Sequence, residues 1–241
     1  MAQADWLTLT PNPGNIAKGV TGGIPRPNGG GSFIYAFNSL DDVDAAAGLY
    51  VDGAGFNPTG ALKGGFMSCA MKRGQSSGST GFSPFMFMQA ATGTTSDIAY
   101  MIGLSDSDPY YVMMVKGIIA NGIPDANPGA AGVVWKSNES FEYDEDKWLH
   151  IKMEVVVNGN SDVVLVPYMS DLDAHVVSNP VWTAMLGSTK FADDVSEFID
   201  DNTQINTGSA TLTSGKMGFG FVSSEVTRRA YFDHIVAAKQ N

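Results

Sequence analysis

The chain has little that would cross-link it or anchor it in a membrane. A single cysteine, Cys69, occurs among its 241 residues, so an intrachain disulfide is excluded and packing or assembly must stabilise the folded state. We expect Cys69 to be a buried structural thiol. No apolar run approaches the roughly 18 residues that read as a membrane-spanning helix. Residues 1–6 also lack the basic and apolar regions of a signal peptide.

Positive charge is scarce as well. The 14 Lys and Arg residues stand against 25 Asp and Glu residues, which gives a formal net charge of -11. Nucleic acid and anionic membrane surfaces both attract basic segments, so we expect neither as a partner. The acidity is typical of a solvated surface. Divalent cations or a basic partner surface are the alternatives.

Residue patterns that carry hydrolytic or metal chemistry are missing from the sequence. The histidines His150, His175 and His234 are far apart and form no zinc-binding pair. There is no Gly-x-Ser-x-Gly nucleophile elbow, and residues 29–32 lack the Lys-Ser/Thr ending of a phosphate loop. His150 and His234 fall in predicted strands, and we expect each to be a satisfied surface or interstrand residue. We also expect the chain not to be an enzyme.

Turn residues are abundant, with 28 glycines and 11 prolines. Together with few Lys, Arg and Glu residues, they favour an all-β fold. Short apolar or alternating runs bounded by Gly, Pro, Asn or Asp predict strands. These runs cover residues 32–37, 62–72, 82–88, 98–104, 110–116, 147–157, 162–168, 215–221 and 230–237. Many of the 12 methionines fall in these runs, and we expect them to fill gaps in a core.

The alternation of residues 148–157 predicts a strand with one face on the core and one wetter face. We expect Pro167 to end or bulge the next strand, because proline lacks the amide proton that a central ladder needs.

The predicted domain organisation has two parts. Residues 1–32 form an extended, partly irregular, Gly/Pro-rich N-terminal arm, and residues 33–241 form one β-sandwich. Within the arm, residues 6–10 are expected to form a short edge strand. An insertion of loop and helix is expected around residues 170–214, with an amphipathic helix over 188–201. Three acids within residues 41–44 lack the spacing of a calcium loop, so we expect them to cap a short turn at 45–48.

Three runs carry a resemblance to a known superfamily. Residues 148–157 begin with Trp148 and alternate, residues 215–221 read Gly-x-x-Gly-Phe-Gly-Phe, and residues 231–237 contain Phe-Asp. They resemble the concanavalin A-like, or laminin G-like, jelly-roll superfamily of lectins and glucanases. The resemblance implies an all-β sandwich of two antiparallel sheets. In a jelly-roll sandwich the first and last strands often lie side by side, so the resemblance also implies that residues 32–37 pair with residues 231–237. Glycosidases of that superfamily carry Glu-x-Asp-x-x-Glu on a strand, which this sequence lacks, so we expect no hydrolysis.

Lectins of this superfamily bind sugars through loop carboxylates, amides and an aromatic platform, often with calcium. Asp106, Asp108, Tyr110 and Tyr111 are the nearest approach to such a set here. The resemblance therefore implies a candidate carbohydrate or calcium site at these residues, with no other cofactor. An Asp-Ser-Asp-Pro turn leading into a strand explains the same residues equally well.

A Gly/Pro-rich arm, an acidic sandwich without a catalytic set and no export signal also resemble accessory proteins of tailed bacteriophage particles. That resemblance implies a structural protein of the virion, in a capsid decoration, tail or fibre, made in the host cytoplasm. We expect it to form a homo-oligomer and to contact other virion proteins, since repeated weak contacts add up in symmetric assemblies. The alternative is a carbohydrate-binding module that recognises a host surface or another glycan.

Overall fold

The computed structural model describes residues 6–8, 15–20, 27–29, 34–38, 45–51, 64–74, 82–105, 109–141, 147–203, 210–223 and 229–239. Within these residues the chain forms sixteen strands and one short 3-10 helix, Ile119–Asn121. Neighbouring strands are antiparallel throughout both sheets. The all-β prediction is confirmed. Among the described residues, no helix has the length and apolar character needed to cross a membrane.

The first sheet contains eight strands. They are β1 (Trp6–Thr8), β4 (Ala45–Val51), β6 (Phe82–Ala90), β7 (Ile98–Leu104), β8 (Tyr110–Ile118), β9 (Val133–Phe141), β13 (Gly187–Ser188) and β15 (Lys216–Ser223). Their order across the sheet is β1-β4-β15-β6-β7-β8-β9-β13.

The second sheet is built from the remaining strands. They are β2 (Asn15–Val20), β3 (Ile34–Asn38), β5 (Gly65–Gly74), β10 (Leu149–Val157), β11 (Val163–Ser170), β12 (Thr183–Ala184), β14 (Phe198–Asp200) and β16 (Arg229–Lys239). Their order is β12-β11-β10-β5-β16-β3-β2, with β14 also paired to β11. Since β3 pairs with β16, the expected pairing of the early and last strands is confirmed.

Strand β10 shows how the sequence pattern places the core. Ile151, Met153 and Val155 are fully buried towards the first sheet, whereas Lys152 and Glu154 are partly exposed on the outer face. A strand with one face on the core alternates in this way. Both sheets supply the core between them, including Met67, Cys69, Met86, Met88, Tyr100, Met114, Trp135, Met217, Phe219 and Phe232. The methionines in this list fill the core as expected.

The outer face of the first sheet is covered too. Phe85, Phe87 and Met113 form a second apolar cluster with Ile119 and Ile123, which belong to the segment between β8 and β9. The middle strands of this sheet are therefore buried on both faces. This double burial explains why their sequences are continuous apolar runs instead of alternating ones.

Two segments in the first third of the chain correct the sequence interpretation. Asn15–Val20 pairs with β3, so this part of the predicted irregular arm is a strand. The short edge strand expected within residues 6–10 is present as Trp6–Thr8, at the edge of the first sheet. Ala45–Val51, expected to start with a short turn, is a strand between β1 and β15. Pairing on both sides overrides the weak strand propensity of its alanines. The acids at 41–44 lie outside the described residues.

The prediction of a helix over residues 188–201 is wrong. This stretch is fully described and contains strands at the edges of both sheets, with β13 paired to β9 and β14 paired to β11. Phe198 and Asp200 are buried while Glu197 and Ile199 are exposed, which is the period of a strand. The spacing of apolar residues was compatible with a helix, but pairing with two existing sheets decided the conformation.

Trp135 attaches the same insertion to the first sheet. Its indole Nε1 donates a hydrogen bond to the carbonyl of Val195 at 3.0 Å. Gly187 lies flat against the ring, where an added Cβ would come within 2.3 Å of it. Only glycine fits at this position, so the ring and the insertion pack in close contact.

Pro167 neither ends nor bulges β11, contrary to expectation. It stands opposite Met153 in an unbroken ladder with β10. Its carbonyl accepts from Met185 N at 2.9 Å, on the side away from β10. The nitrogen and carbonyl of one strand residue point to the same side, so the missing N–H also faces away from β10. On that side, β14 pairs with β11 only as far as Leu165, and β12 pairs with β11 only from Tyr168 onwards. Proline is tolerated in the gap between these two pairings.

A buried ion pair joins the insertion to the first sheet. Lys116 Nζ lies 2.6 Å from Asp200 Oδ2, and both side chains are fully buried. The hydroxyl of Tyr100 donates to the same carboxylate oxygen at 2.6 Å and accepts from Leu212 N at 3.1 Å. Burial, together with the Asp200 carboxylate, raises the pKa of Tyr100, so its hydroxyl remains a donor. Each group compensates the desolvation of another.

We expect the substitution Asp200→Ala to lower the free energy of unfolding by about 3–5 kcal/mol, because it leaves the Lys116 ammonium buried without its counter-charge. Urea denaturation measures this loss. Asp193→Ala, at an exposed acid of the same insertion, is the matched control and should change stability by less than about 0.5 kcal/mol. Equal effects of the two substitutions would contradict the assignment.

Candidate functional site

The two tyrosines of the predicted sugar site do not form one platform. Tyr110 lies 4.4 Å from the guanidinium of Arg73 and packs against the core between the sheets. Tyr111 lies 3.9 Å from Lys136 Nζ and packs against the outer cluster of the first sheet. They are consecutive residues of β8, and consecutive strand residues point to opposite faces.

The acidic half of that predicted site, Asp106 and Asp108, lies outside the described residues. In the described part of the chain, no group of three or more His, Cys, Asp or Glu side chains is placed to hold a metal ion. Calcium binding at the loop before β8 therefore stays a prediction.

A different set of side chains comes together on the outer face of the second sheet. We call Phe66, Lys152, Glu154, Tyr168 and Trp182 the Lys152 face. In the strand register, Lys152 stands opposite Tyr168 on one side, and Glu154 stands opposite Phe66 on the other. Alternate residues of neighbouring strands project from the same side of a sheet, which brings these groups together. Trp182 joins them from the residue just before β12.

Three aromatic rings surround the ammonium group of Lys152. Its Nζ lies 3.8 Å from the ring centroid of Tyr168, 5.6 Å from that of Trp182 and 5.7 Å from that of Phe66. These distances are within the range of cation–π attraction. Glu154 Oε2 lies 3.9 Å away. Burial lowers the pKa of Lys152, an effect that the Glu154 carboxylate opposes.

Tyr168 links the aromatic and acidic parts of the face. Burial raises the pKa of Tyr168, and the carboxylates of Glu154 and Glu197 raise it further. Glu197 lies close to Tyr168 because it immediately precedes β14, which pairs with β11, the strand that carries Tyr168. The phenol is therefore neutral at physiological pH and presents a ring, a donor and an acceptor to the solvent side.

One row further along the sheet lies a buried polar pair, His150 and Ser170. They stand directly opposite each other in the register of β10 and β11, and they are 0% and 2% exposed. Neither ring nitrogen of His150 nor the hydroxyl of Ser170 has a hydrogen-bond partner within the described structure. The Trp182 ring covers His150 at a centroid distance of 4.5 Å. His150 lies in a strand as predicted, but the expectation of a satisfied residue is wrong, because both ring nitrogens are buried without a partner among the described residues. The sequence contains no signal for the Trp182 cover.

A bulge in β16 brings a second imidazole to the same place. The register of β16 against β5 shifts between Asp233 and Val236, and His234 has a φ of 47°. Asp233 Oδ1 accepts from the backbone N–H of His234 at 2.7 Å and stabilises this turn. The His234 ring lies edge-on to His150 at 6.2 Å. Bulges commonly redirect a side chain in this way.

His150 is a neutral imidazole at physiological pH. Burial, and next the charge of nearby His234, lowers the pKa of His150 to about 4. A neutral imidazole carries one donor and one acceptor nitrogen, and a serine hydroxyl can do both. The pair can therefore bind a group that both donates and accepts, such as a hydroxyl group.

Comparison with known proteins shows the fold. No protein-family model and no curated protein sequence matches the chain. Among solved structures, a cellulose-induced protein, Cip1, superposes with a TM-score of 0.55 at 13% identity, over 99% of this chain and 93% of that one.

Two further structures match less well. The Ca²⁺- and Man3GlcNAc-bound exoplasmic/lumenal domain of VIP36 covers 98% of this chain and 89% of its own, with 10% identity and a TM-score of 0.47. A prokaryotic β-1,3-1,4-glucanase (lichenase) from a mouse hindgut metagenome covers 99% and 95%, with 11% identity and a TM-score of 0.45. A likeness at these identities concerns the fold alone. The two antiparallel sheets confirm the expected jelly-roll sandwich, and a fold by itself decides no activity.

The buried imidazole predicts a pH dependence of stability. The pKa of His150 in the folded protein is below its ordinary value of 6.5, so the unfolded chain takes up the proton first on acidification. Stability is full above about pH 6.5 and falls as the pH drops to about 4, by on the order of 2–3 kcal/mol.

Urea denaturation of wild type and His150→Gln at pH 7 and pH 4.5 measures this effect. The variant should lose less stability between the two pH values than the wild type does. His175→Gln, at a partly exposed histidine between β11 and β12, is the control and should retain the wild-type slope. A wild-type slope in His150→Gln would show that His150 does not contribute.

Proposed function

We propose that the chain is a non-catalytic carbohydrate-binding module and that a saccharide binds on the Lys152 face. The observation that carries this proposal is the group of three partly exposed rings, Phe66, Tyr168 and Trp182, around one ammonium group. A pyranose has an apolar face of C–H groups and a rim of hydroxyl groups. Aromatic rings pack against the former, while charged and phenolic groups hydrogen-bond the latter.

The charges on the face favour a neutral saccharide. Lys152 and Glu154 balance each other at 3.9 Å, and Glu197 adds a negative charge close to Tyr168. The whole chain carries a net charge of -11. The field at the face would therefore repel uronic acids or sulfated sugars and leave uncharged ones unaffected.

The sequence resemblance agrees with this function, because lectins of the concanavalin A-like superfamily bind sugars. A role as a structural virion protein, with homo-oligomers and virion partners, stays a prediction. It rests on a general resemblance and on an N-terminal arm, residues 1–32, most of which lies outside the described residues. The carbohydrate-binding proposal has a defined set of side chains behind it, and for that reason we prefer it.

We expect wild-type protein to give saturable binding to neutral glycans on an array, with and without a calcium chelator. Trp182→Ala should weaken binding to any such glycan at least tenfold, because it removes one wall of the platform. Isothermal titration calorimetry with the glycan measures the change.

Phe191→Ala is the matched control. Phe191 is a 61% exposed aromatic residue of the same insertion, and it lines a cavity with Ile118 at the first sheet instead of the Lys152 face. This substitution should leave binding unchanged. A folded wild-type protein that binds no glycan on the array would reject the proposed function.

A further inference from the structure

The buried pair of His150 and Ser170 is not explained by the fold. A buried polar group without a partner costs about 1–3 kcal/mol, and native proteins keep few of them. Here two such side chains stand directly opposite each other in neighbouring strands. Apolar residues of similar size would remove this cost, so the polar groups need another reason.

The position of the pair next to the Lys152 face supplies a reason for keeping two buried polar groups. His150 and Ser170 form the row next to Lys152 and Tyr168 on the same side of β10 and β11. Two residues along a strand span about 7 Å. A ligand that packs on the Tyr168 ring and extends along the strands therefore reaches the buried pair next.

Trp182 separates the pair from solvent. Its ring contacts both rows, with its centroid 4.5 Å from that of His150 and 5.6 Å from Lys152 Nζ. The indole is itself partly exposed, and its neighbour Val181 is 55% exposed. The two residue pairs of β12 and the hydrogen bond from Met185 N to the Pro167 carbonyl follow it on the edge of β11. A partly exposed side chain at a sheet edge can move at a smaller free-energy cost than a core residue.

We propose that His150 and Ser170 form a hydroxyl-binding subsite of the Lys152 face, which the indole of Trp182 covers in the free protein and a bound saccharide uncovers. This inference rests on the proposed function and adds the chemistry of the group that is recognised. It assigns Trp182 two roles, a wall of the platform and a movable cover.

The donor and acceptor inventory selects the ligand class. The neutral imidazole offers one N–H and one acceptor nitrogen, and the serine hydroxyl offers both functions. A sugar hydroxyl also donates and accepts, so it can satisfy both side chains. An ammonium group can only donate and a carboxylate can only accept, and each would leave part of the pair unsatisfied. The subsite therefore takes a free hydroxyl group of an uncharged saccharide.

Two substitutions separate this role from a structural one. Ser170→Ala and His150→Phe remove unpartnered polar groups, so stability should stay the same or rise. Binding should weaken about five- to fiftyfold, because a site built to hydrogen-bond a hydroxyl loses that contact. The probes are soluble mixed-linkage β-glucan, xyloglucan and galactomannan, measured by affinity gel electrophoresis with the full chain, and urea denaturation gives the stability.

Ser137→Ala is the matched control. Ser137 is a buried serine of β9 whose hydroxyl is fully engaged, accepting from Val112 N at 3.2 Å and donating to Glu139 O at 2.7 Å. Its substitution should lower stability by about 1 kcal/mol and leave binding unchanged. The control and the test substitutions thus have opposite expected signatures.

Indole fluorescence tests whether the Trp182 ring moves away from His150 and Ser170 when a saccharide binds. The chain has four tryptophans, and saccharide binding should change the emission of wild type but much less that of Trp182→Phe. If Ser170→Ala and His150→Phe bind like wild type while Trp182→Ala binds weakly, the subsite is rejected and the carbohydrate platform stands. A loss of both binding and stability in Ser170→Ala would also reject it, as a structural role. If wild type binds neither these polysaccharides nor any neutral glycan of the array, both proposals fail; if it binds an array glycan alone, the same variants are compared with that glycan as the probe.

Discussion

Attachment of residues 171–203 to both sheets closes one side of the sandwich and creates the candidate site. Strands β12 and β14 pair with the second sheet and β13 pairs with the first. The ion pair of Lys116 and Asp200 makes this attachment specific, because neither charge tolerates burial alone. The same segment supplies Trp182 to the Lys152 face and places Glu197 near Tyr168. The stability of the edge and the geometry of the site therefore depend on one set of contacts.

The outer face of the second sheet is held rigid by strand pairing, and two of its buried polar side chains lack hydrogen-bond partners in the described part of the chain. Strand pairing holds Lys152, Tyr168 and His150 at defined spacings, so little ordering is needed when a ligand binds. The rings around Lys152 are already partly desolvated, which strengthens polar contacts made among them. His150 and Ser170 are buried without hydrogen-bond partners from the described residues, which costs desolvation free energy, and hydrogen bonds to a bound hydroxyl group would offset that cost. These are properties expected of a preorganised recognition site.

The fold is preserved at an identity of 13% because its requirements are simple. Period-two alternation buries one face of each outer strand, and continuous apolar runs bury both faces of β6, β7 and β8. Many apolar residues meet those requirements, so identity can fall while architecture remains. Function depends on fewer and more specific positions, which explains why the likeness of fold decides neither binding nor catalysis.

The sequence by itself determined the elements whose signal is local. Alternation along β10 and the methionine-rich core follow from period and composition, and both are present in the structure. The pairing of β3 with β16 was expected only because the sequence resembles a jelly roll, and it too is present. The tertiary structure alone decided the elements that depend on a distant partner. Residues 198–200 become a strand because β11 offers an unpaired edge, and Pro167 is tolerated because the flanking strands leave a gap beside it.

The candidate site depends on distant partners in the same way. A two-residue period correctly predicts that Lys152 and Glu154 share a wetter face. The same period predicts that Tyr110 and Tyr111, as consecutive residues of a strand, point to opposite faces. It cannot indicate that Trp182 covers His150 from 32 positions away, or that Ser170 is the residue opposite. Side-chain direction is encoded by neighbours along the chain, whereas the contacts that make a binding site are set by register and by which segments close over a sheet.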